Sequence, residues 1–339
     1  MIRIVGDISL GDGYFDRGFG VGSYIEDGIN PLKLISESND VWLGNFEGVC
    51  ADSSDKTGLK SEQFRTPLSS IAKLSHPNIY SVANNHSMQH GHDAFEQTVS
   101  NLSSLGCKVV GTLTNKSVSF DYNQYKIAVT SFSVREETFA KPSSYWFDPS
   151  KEEISEEYLK LAECDFKILY IHWGDEFINY PSANQIRFAR WAIELGFDII
   201  IGLHPHIIQG FEIFKGKHIF YSIGNFVFNM PWLPLRYGAI VNIDLINGKP
   251  EIGYSYFKIG NDYTPRIVTS IPEEYSFEYL NGFINENQTD ERYCKDLKKA
   301  MRKYQTINRA TIIRNIPKFS ASDLYSIFND FIQRKWTHK

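Results

Sequence analysis

The chain has 339 residues, a formal net charge of −5 and 42% hydrophobic against 22% charged residues. That composition is globular and large enough for one large domain or two smaller ones, and the acidic balance argues against general nucleic-acid binding, which needs basic surface. Four scattered cysteines (Cys50, Cys107, Cys164 and Cys294) form no Cys-x-x-Cys pair, which argues for free thiols over a disulfide framework or a zinc knuckle. No apolar run approaches the roughly eighteen residues of a membrane-spanning helix. The opening Met1-Ile-Arg-Ile-Val leaves no room for a signal peptide, so a cytoplasmic location is expected.

In chain order, residues 2–5 form a β-branched run, 30–38 read as a helix and 41–44 as a buried strand. Residues 67–74 read as helical, with Pro67 suited to a first turn, and 79–83 as a strand. Helical spacing of Ala94, Phe95, Val99, Leu102 and Leu105 predicts a helix over 93–105 stopped by Gly106, and 108–111 is the next strand. This rhythm implies parallel pairing with helices packed outside. Residues 117–120 and 125–133 read as an antiparallel pair. The rhythm resumes with a strand at 166–171, a helix at 183–195 closed by Gly196, and a strand at 198–201. Four successive antiparallel strands are expected at 207–214, 217–223, 239–245 and 251–259, with turns at Gly216 and Asn247-Gly248. Beyond Pro272 the chain turns polar and helix-prone. Residues 322–336 read as a terminal helix carrying Leu324, Ile327, Phe328, Phe331 and Ile332 on one face. The expected division is a main domain over 1–271 and a helical extension over 272–339 packed on it.

Six short motifs carry the chemistry: Gly6-Asp7, Asn45-Phe46-Glu47, Asn84-Asn85-His86, His172-Trp173-Gly174, Gly202-Leu203-His204-Pro205-His206 and Gly224-Asn225-Phe226. Most follow a predicted buried strand, and α/β sheets keep their sites at strand carboxyl ends. One Asp or His at one strand end is usually a cap or a satisfied core group. Five strand ends that converge with polar residues are another matter. A mixed set of carboxylate, amide and imidazole groups favours transition metals over calcium. Two ions about 3.5–4 Å apart activate water and neutralise a departing oxyanion, and a carboxylate between them screens their repulsion. Glu47 is the candidate for that bridge.

The order of these motifs is similar to that of the calcineurin-like metallophosphoesterases. More closely, Asn45-Phe-Glu47-Gly48, Ala83-Asn-Asn-His86, Gly202-Leu-His-Pro-His206-Ile-Ile-Gln209 and Tyr221-Ser-Ile-Gly-Asn225-Phe-Val-Phe228 resemble the CapA/PgsA family of capsule and poly-γ-glutamate synthesis proteins. The resemblance runs over about residues 1–256. It implies a metallophosphoesterase-like four-layer αββα sandwich of two mixed β-sheets, α/β in class, followed by the helical C-terminal extension. It also implies one or two divalent transition metals (Mn, Zn or Fe). Asp7, Glu47 and His206 would hold the first, and Glu47, Asn85, His172 and His204 the second. By the same resemblance His86, beside the ligand Asn85, would protonate the leaving group or bind the transition state, with Asn225 and Gln209 as polar contacts near the site and Arg65 and Glu176 facing substrate. A solvated or ion-paired loop position is the plainer reading of Arg65.

Two positions depart from the pattern. Ser9 stands where ordinary metallophosphoesterases carry a histidine ligand, so the first metal position is depleted. Gln89 stands where a carboxylate would orient His86, and an amide supplies no charge. His90, His92 and Asp93 follow, and are expected to cap the helix that begins there. The resemblance implies an enzyme of capsule or poly-γ-glutamate type surface-polymer biosynthesis that hydrolyses or transfers at a phosphoester or amide bond. The alternative is a metal-containing assembly factor that binds an anionic polymer without turnover. Expected partners are an anionic polymer, a phosphoester or a γ-glutamyl or saccharide substrate, and a capsule-assembly complex.

Overall fold

The structure, a computed structural model, describes residues 1–135 and 140–337, with side chains to Asn329. Four strands open the first sheet: β1 (Ile2–Ile8), β2 (Val41–Phe46), β3 (Ile79–Ser81) and β4 (Lys108–Val110). The second sheet comprises β5 (Ser117–Tyr122), β6 (Tyr125–Ser133), β7 (Phe166–His172), β8 (Ile199–Leu203), β9 (Phe211–Phe214) and β10 (Lys217–Phe220). The chain then returns to the first sheet with β11 (Asn225–Val227), β12 (Tyr237–Ile246), β13 (Lys249–Ile259) and β14 (Pro265–Ile267). The longer helices are α1 (His92–Ser104), α2 (Lys151–Leu159), α3 (Ala183–Leu195), α4 (Asp290–Asn315) and α5 (Ala321–Thr337).

Both sheets are mixed. The first runs β14-β13-β12-β1-β2-β3-β4, with β11 also paired to β1; the second runs β5-β6-β7-β8-β10-β9. β1 through β4 are mutually parallel, as are β6, β7, β8 and β10. Parallel strands in each sheet therefore end at one edge, and that geometry gathers the site. β1 and β8 are buried along nearly their whole length, as strands covered on both faces must be, which is why they read as unbroken apolar runs.

Three buried clusters define the layers. Ile4, Leu43 and Ile79 of the first sheet meet Val129, Ile168 and Ile201 of the second between the sheets. Val5, Ile8 and Tyr80 face outward onto Phe95 and Leu102 of α1. Leu169, Ile171 and Ile200 face outward onto Ile186, Ala189 and Ile193 of α3. Helix, sheet, sheet, helix is the expected layering. The boundaries of α3 match the expected residues 183–195 because both ends are chemically marked. Ser182 and Gln185 form a reciprocal capping box, and Gly196 closes the helix at φ 132°.

Several expectations need correction. The region expected as four successive antiparallel strands is divided between the sheets: β9 and β10 pair antiparallel in the second, and β12 and β13 in the first. Residues 221–227 leave the second sheet, so that β11 lies parallel beside β1. β11 and β14 are three-residue strands with no periodicity to announce them. Of residues 30–38, only Lys33–Ser36 is α-helical. His90, His92 and Asp93 do not cap α1. Its N-cap is Gly91 at φ 89° without a side-chain cap, and His90 and His92 bond instead to Ser54, Gln63 and Ser144.

Beyond Pro272, α4 packs Ala300, Met301 and Tyr304 against Phe177, Ile207 and Phe228. Asn315 donates to Phe15 O, and Asp323 of α5 pairs with Arg17 at 2.5 Å. The side chains of Phe331 and Ile332 lie outside the described residues. Among the described residues no helix is long and apolar enough to cross a membrane.

Candidate metal centre

Asp7 ends β1, Glu47 follows β2, Asn85 and His86 follow β3, His172 ends β7, and His204 follows β8. Two sheets packed face to face thus present their parallel strand ends to a common point. Asp7, Glu47, His172, His204 and His206 are all at most 1% exposed.

Two ligand-type groups result. One atom each of Glu47, His172 and His204 lie within 4.8 Å of one another, and so do atoms of Asp7, Glu47 and His206. Glu47 is shared, in the position expected of a bridge. Asn85 Oδ1 lies 2.8 Å from His172 Nε2, which is 3.0 Å from His204 Nδ1. Hence the whole expected second set converges. His206 Nδ1 donates to Asn225 Oδ1 at 2.8 Å and lies 3.5 Å from Asp7 Oδ2. Its Nε2 faces Glu47 at 3.7 Å and Glu176 at 3.9 Å.

The donor set fits a cation. Both carboxylate oxygens of Glu47, His204 Nε2 and His206 Nε2 are buried without a hydrogen-bond partner. Buried polar atoms are nearly always satisfied, so four orphans on three adjacent residues mark a binding site. The backbone supports this reading. His204 and His206 are held at φ 89° and 58°, and Phe64 and Phe177 beside them at 57° and 70°. Non-glycine residues in this left-handed region cost energy and cluster at functional sites.

The electrostatics follow from burial. Burial, with Asp7 next to it, pushes the Glu47 carboxyl well above its usual range. Burial also acts to raise Asp7, but the hydrogen bond from His206 and the charges of His172 and His206 bring it below the usual range. Burial opposes a charge on His206, and Glu47 and Asp7 outweigh it, pushing that imidazole up to about 10. His172, buried among other imidazoles, falls to about 3.

His86 stacks on Phe64 with ring centroids 3.6 Å apart. Its Nδ1 donates to Gln89 Oε1 at 2.6 Å. The orienting hydrogen bond is therefore kept, while the charge of a carboxylate is lost. Burial lowers His86 to about 4, so its Nε2, 3.8 Å from Glu47, carries a lone pair at neutral pH rather than a proton.

Asn225 acts through His206, which it orients, and donates to Leu235 O. Gln209 braces the carbonyls of Ile178 and Tyr180. Arg65 is not gathered into the cluster. Its guanidinium donates to the carbonyls of Ser61, Ala51 and Asp52, and so ties loop to loop. Asn45, part of a motif but without an expected role of its own, donates its amide to Asp7 Oδ1 at 2.8 Å and lies 3.3 Å from His172 Nδ1. Its place two residues before Glu47 was the available signal. Tyr304 of α4, stacked on Phe177 at 4.0 Å beside His206, had none.

One buried acid lies outside this cluster. Asp16 is 2% exposed and accepts from Gly13 N, Asn229 and Tyr263. Burial pushes its carboxyl up to about 7. A folded-state value above the unfolded one means the native state binds the extra proton. Stability from this group is therefore full below about pH 4 and lost as pH rises toward about 7. Asp16→Asn keeps the acceptor for Gly13 and donates to Tyr263 instead. Its advantage over the parent should grow across that window to about 4 kcal/mol. Parallel denaturation curves at pH 5 and pH 8 would refute this assignment.

Fold and cluster together define an α/β protein of two facing mixed sheets whose strand ends converge on a buried carboxylate–histidine centre. Residues 1–230 match the family described as Bacterial capsule synthesis protein PGA_cap, and the chain belongs to that family. It is 31% identical over 227 residues to the PGA biosynthesis protein CapA of Bacillus subtilis, covering 63% of this chain and 60% of that protein. It is 29% identical over 180 residues to the capsule biosynthesis protein CapA of Bacillus anthracis, covering 49% and 44%. The alignments thus span 60% or less of these relatives' lengths. Among solved structures, a 5'-nucleotidase from Candida albicans gives a TM-score of 0.46 at 16% identity, over 91% of this chain and 58% of that one. A hypothetical protein from Thermus thermophilus gives 0.48 at 12%, over 76% and 98%.

Proposed function

We propose that this chain is a metal-dependent enzyme of capsule or poly-γ-glutamate type polymer synthesis, acting at an amide or phosphoester bond. The observation that carries the reading is the set of orphaned buried atoms on Glu47, His204 and His206. Asp7, Glu47 and His206 would hold one divalent ion, and Glu47, Asn85, His172 and His204 the other. Imidazole and carboxylate together suit manganese, zinc or iron. Such ions supply Lewis acidity and an activated water. The rest is the work of the protein's own side chains. Asn45 and Asn225 fix Asp7 and His206, and the loop after β8 is locked by the His204 N–H donating to Asp7 Oδ2 at 3.2 Å. His86, clamped between Phe64 and Gln89, presents its Nε2 to the substrate as a neutral acceptor.

The test is elemental analysis of the purified chain beside His204→Ala. The parent should carry transition metal and the variant should lose it, along with turnover of an aryl phosphate or a γ-glutamyl anilide. A variant that keeps the parent's full metal content rules out the assignment. His86→Ala should keep the metal and lose roughly a hundredfold or more in turnover. A second reading, polymer binding without turnover, is favoured by one observation: Gln89 gives His86 no charge to work with. Metal bound with no turnover of either probe would select it.

A further inference from the structure

We propose that the exposed face of α4 is a docking surface for a linear polycarboxylate, a chain of γ-linked glutamate. The choice of polymer rests on the function proposed above, whereas the surface itself does not depend on the metal centre. α4 carries eight Lys and Arg against three acidic residues, a net +5, in a chain whose net charge is −5, so the remaining residues stand at −10. The three acids do not temper this face. Asp290 and Glu291 lie in the first turn, where they complement the helix N-terminus, and Asp296 accepts from the Tyr180 hydroxyl at 2.8 Å. From Leu297 to Asn315 the helix has no acid at all.

Lys295, Lys298, Lys299, Arg302 and Arg309 are all exposed, and none of their side chains has a hydrogen bond or ion pair among the described residues. Steps of three, four and seven residues set them along one side of the helix, over about 21 Å at 1.5 Å per residue. Like charges at that spacing repel and weaken a helix, and a polyanion laid along the face relieves the repulsion. The charges follow a line and do not converge on a point, which suits a chain better than a single small anion. The opposite face of α4 is already occupied. Tyr293 and Leu297 pack on Ile178 and Tyr180, and Ala300, Met301 and Tyr304 on Phe177, Ile207 and Phe228. No apolar stripe of this helix is therefore left to enter a bilayer. From Lys295 onward the helix exposes no aromatic residue, so bases would find no stacking platform. At the edge of the same face Lys303 lies 5.2 Å over the Trp232 ring, which packs on Phe177, itself in ring contact with His206. A polymer held on α4 is thus kept in the neighbourhood of the cluster.

The experiment is isothermal titration of the full chain, in chelator, with poly-γ-glutamate, phosphatidylserine vesicles and duplex DNA. Poly-γ-glutamate should bind the parent, and its affinity should fall about tenfold or more between about 50 and about 200 mM salt. The triple variant Lys298→Gln/Lys299→Gln/Arg302→Gln should bind it about tenfold or more weakly than the parent at low salt, while its melting temperature stays level or rises as the like charges are removed. A second triple, Lys73→Gln/Lys108→Gln/Lys249→Gln, makes the same change in net charge at exposed positions outside α4. It should bind within about twofold of the parent, because salt screens distant surface charges. The proposal is overturned if the polymer does not bind the parent, if the two triples weaken it equally, or if vesicles or duplex DNA bind more tightly than the polymer at the same salt. Because chelator is present throughout, a parent that binds the polymer but takes up no metal sinks the metal reading alone and leaves the docking surface standing.

Discussion

Glu47→Gln is expected to empty both metal positions at once, with at least a hundredfold loss in affinity for manganese or zinc. Glu47 is the one residue common to both ligand-type groups. Neither of its oxygens has a hydrogen-bond partner; within the protein it faces only the His206 and His86 imidazoles, at 3.7 and 3.8 Å. Replacing even an outer partner of a metal ligand costs about 10–100-fold, and a shared ligand costs more. The amide keeps the shape and removes the charge that screens two cations from each other. The same change should not harm the protein when metal is withheld. A carboxyl pushed up by burial and by Asp7 next to it is a poor contributor to stability, and a neutral isostere avoids the desolvation cost. The expected pair of results is therefore opposite in sign. Metal content by elemental analysis falls to background, while the melting temperature in chelator stays level or rises. A variant that retains both ions rules out Glu47 as the bridge. A variant that simply unfolds in chelator shows that the carboxylate is structural.

How far the sequence alone leads differs from element to element. Strands such as β1, β7 and β8 announce themselves because both faces are buried and every position must be apolar. Their ends locate Asp7, His172 and His204. Helix α3 is legible because a capping box and a terminal glycine mark it chemically. β11 is not legible, since three residues carry no period and their pairing with β1 joins positions more than two hundred residues apart. Arg65, expected either to face substrate or to be a plain loop arginine, is likewise undecided by its sequence neighbours. Its guanidinium is occupied by the carbonyls of Ser61, Ala51 and Asp52, a loop geometry no pattern encodes. Tyr304 reaches the neighbourhood of His206 only because α4 docks against Phe177 and Phe228. Gln89 is legible in the sequence only as an uncharged side chain. What the sequence could not show is that its amide oxygen still orients His86.

The backbone beneath the site gives the second large expected effect. Gly6→Ala should cost more than about 4 kcal/mol and weaken metal binding together with stability. A Cβ built on Gly6 would lie 1.7 Å from Gly224 O and 2.9 Å from Gly224 C. Both are backbone atoms, so no rotamer change relieves the clash. β1 and β11 must part. That pairing sets Asp7 opposite Asn225, and Asn225 in turn holds His206 Nδ1. Separating the strands therefore moves Asp7 away from His206, now 3.5 Å apart, and opens one ligand group at its base. The comparison that isolates the clash is Gly253→Ala in β13, where an added Cβ meets nothing within 4 Å. That substitution should be neutral or slightly stabilising, since alanine lowers the entropy of the unfolded chain. Denaturant titration of the two variants beside the parent reads the difference directly. Equal midpoints for Gly6→Ala and Gly253→Ala would mean that β1 and β11 are not in the close contact on which the Asp7–His206 geometry depends.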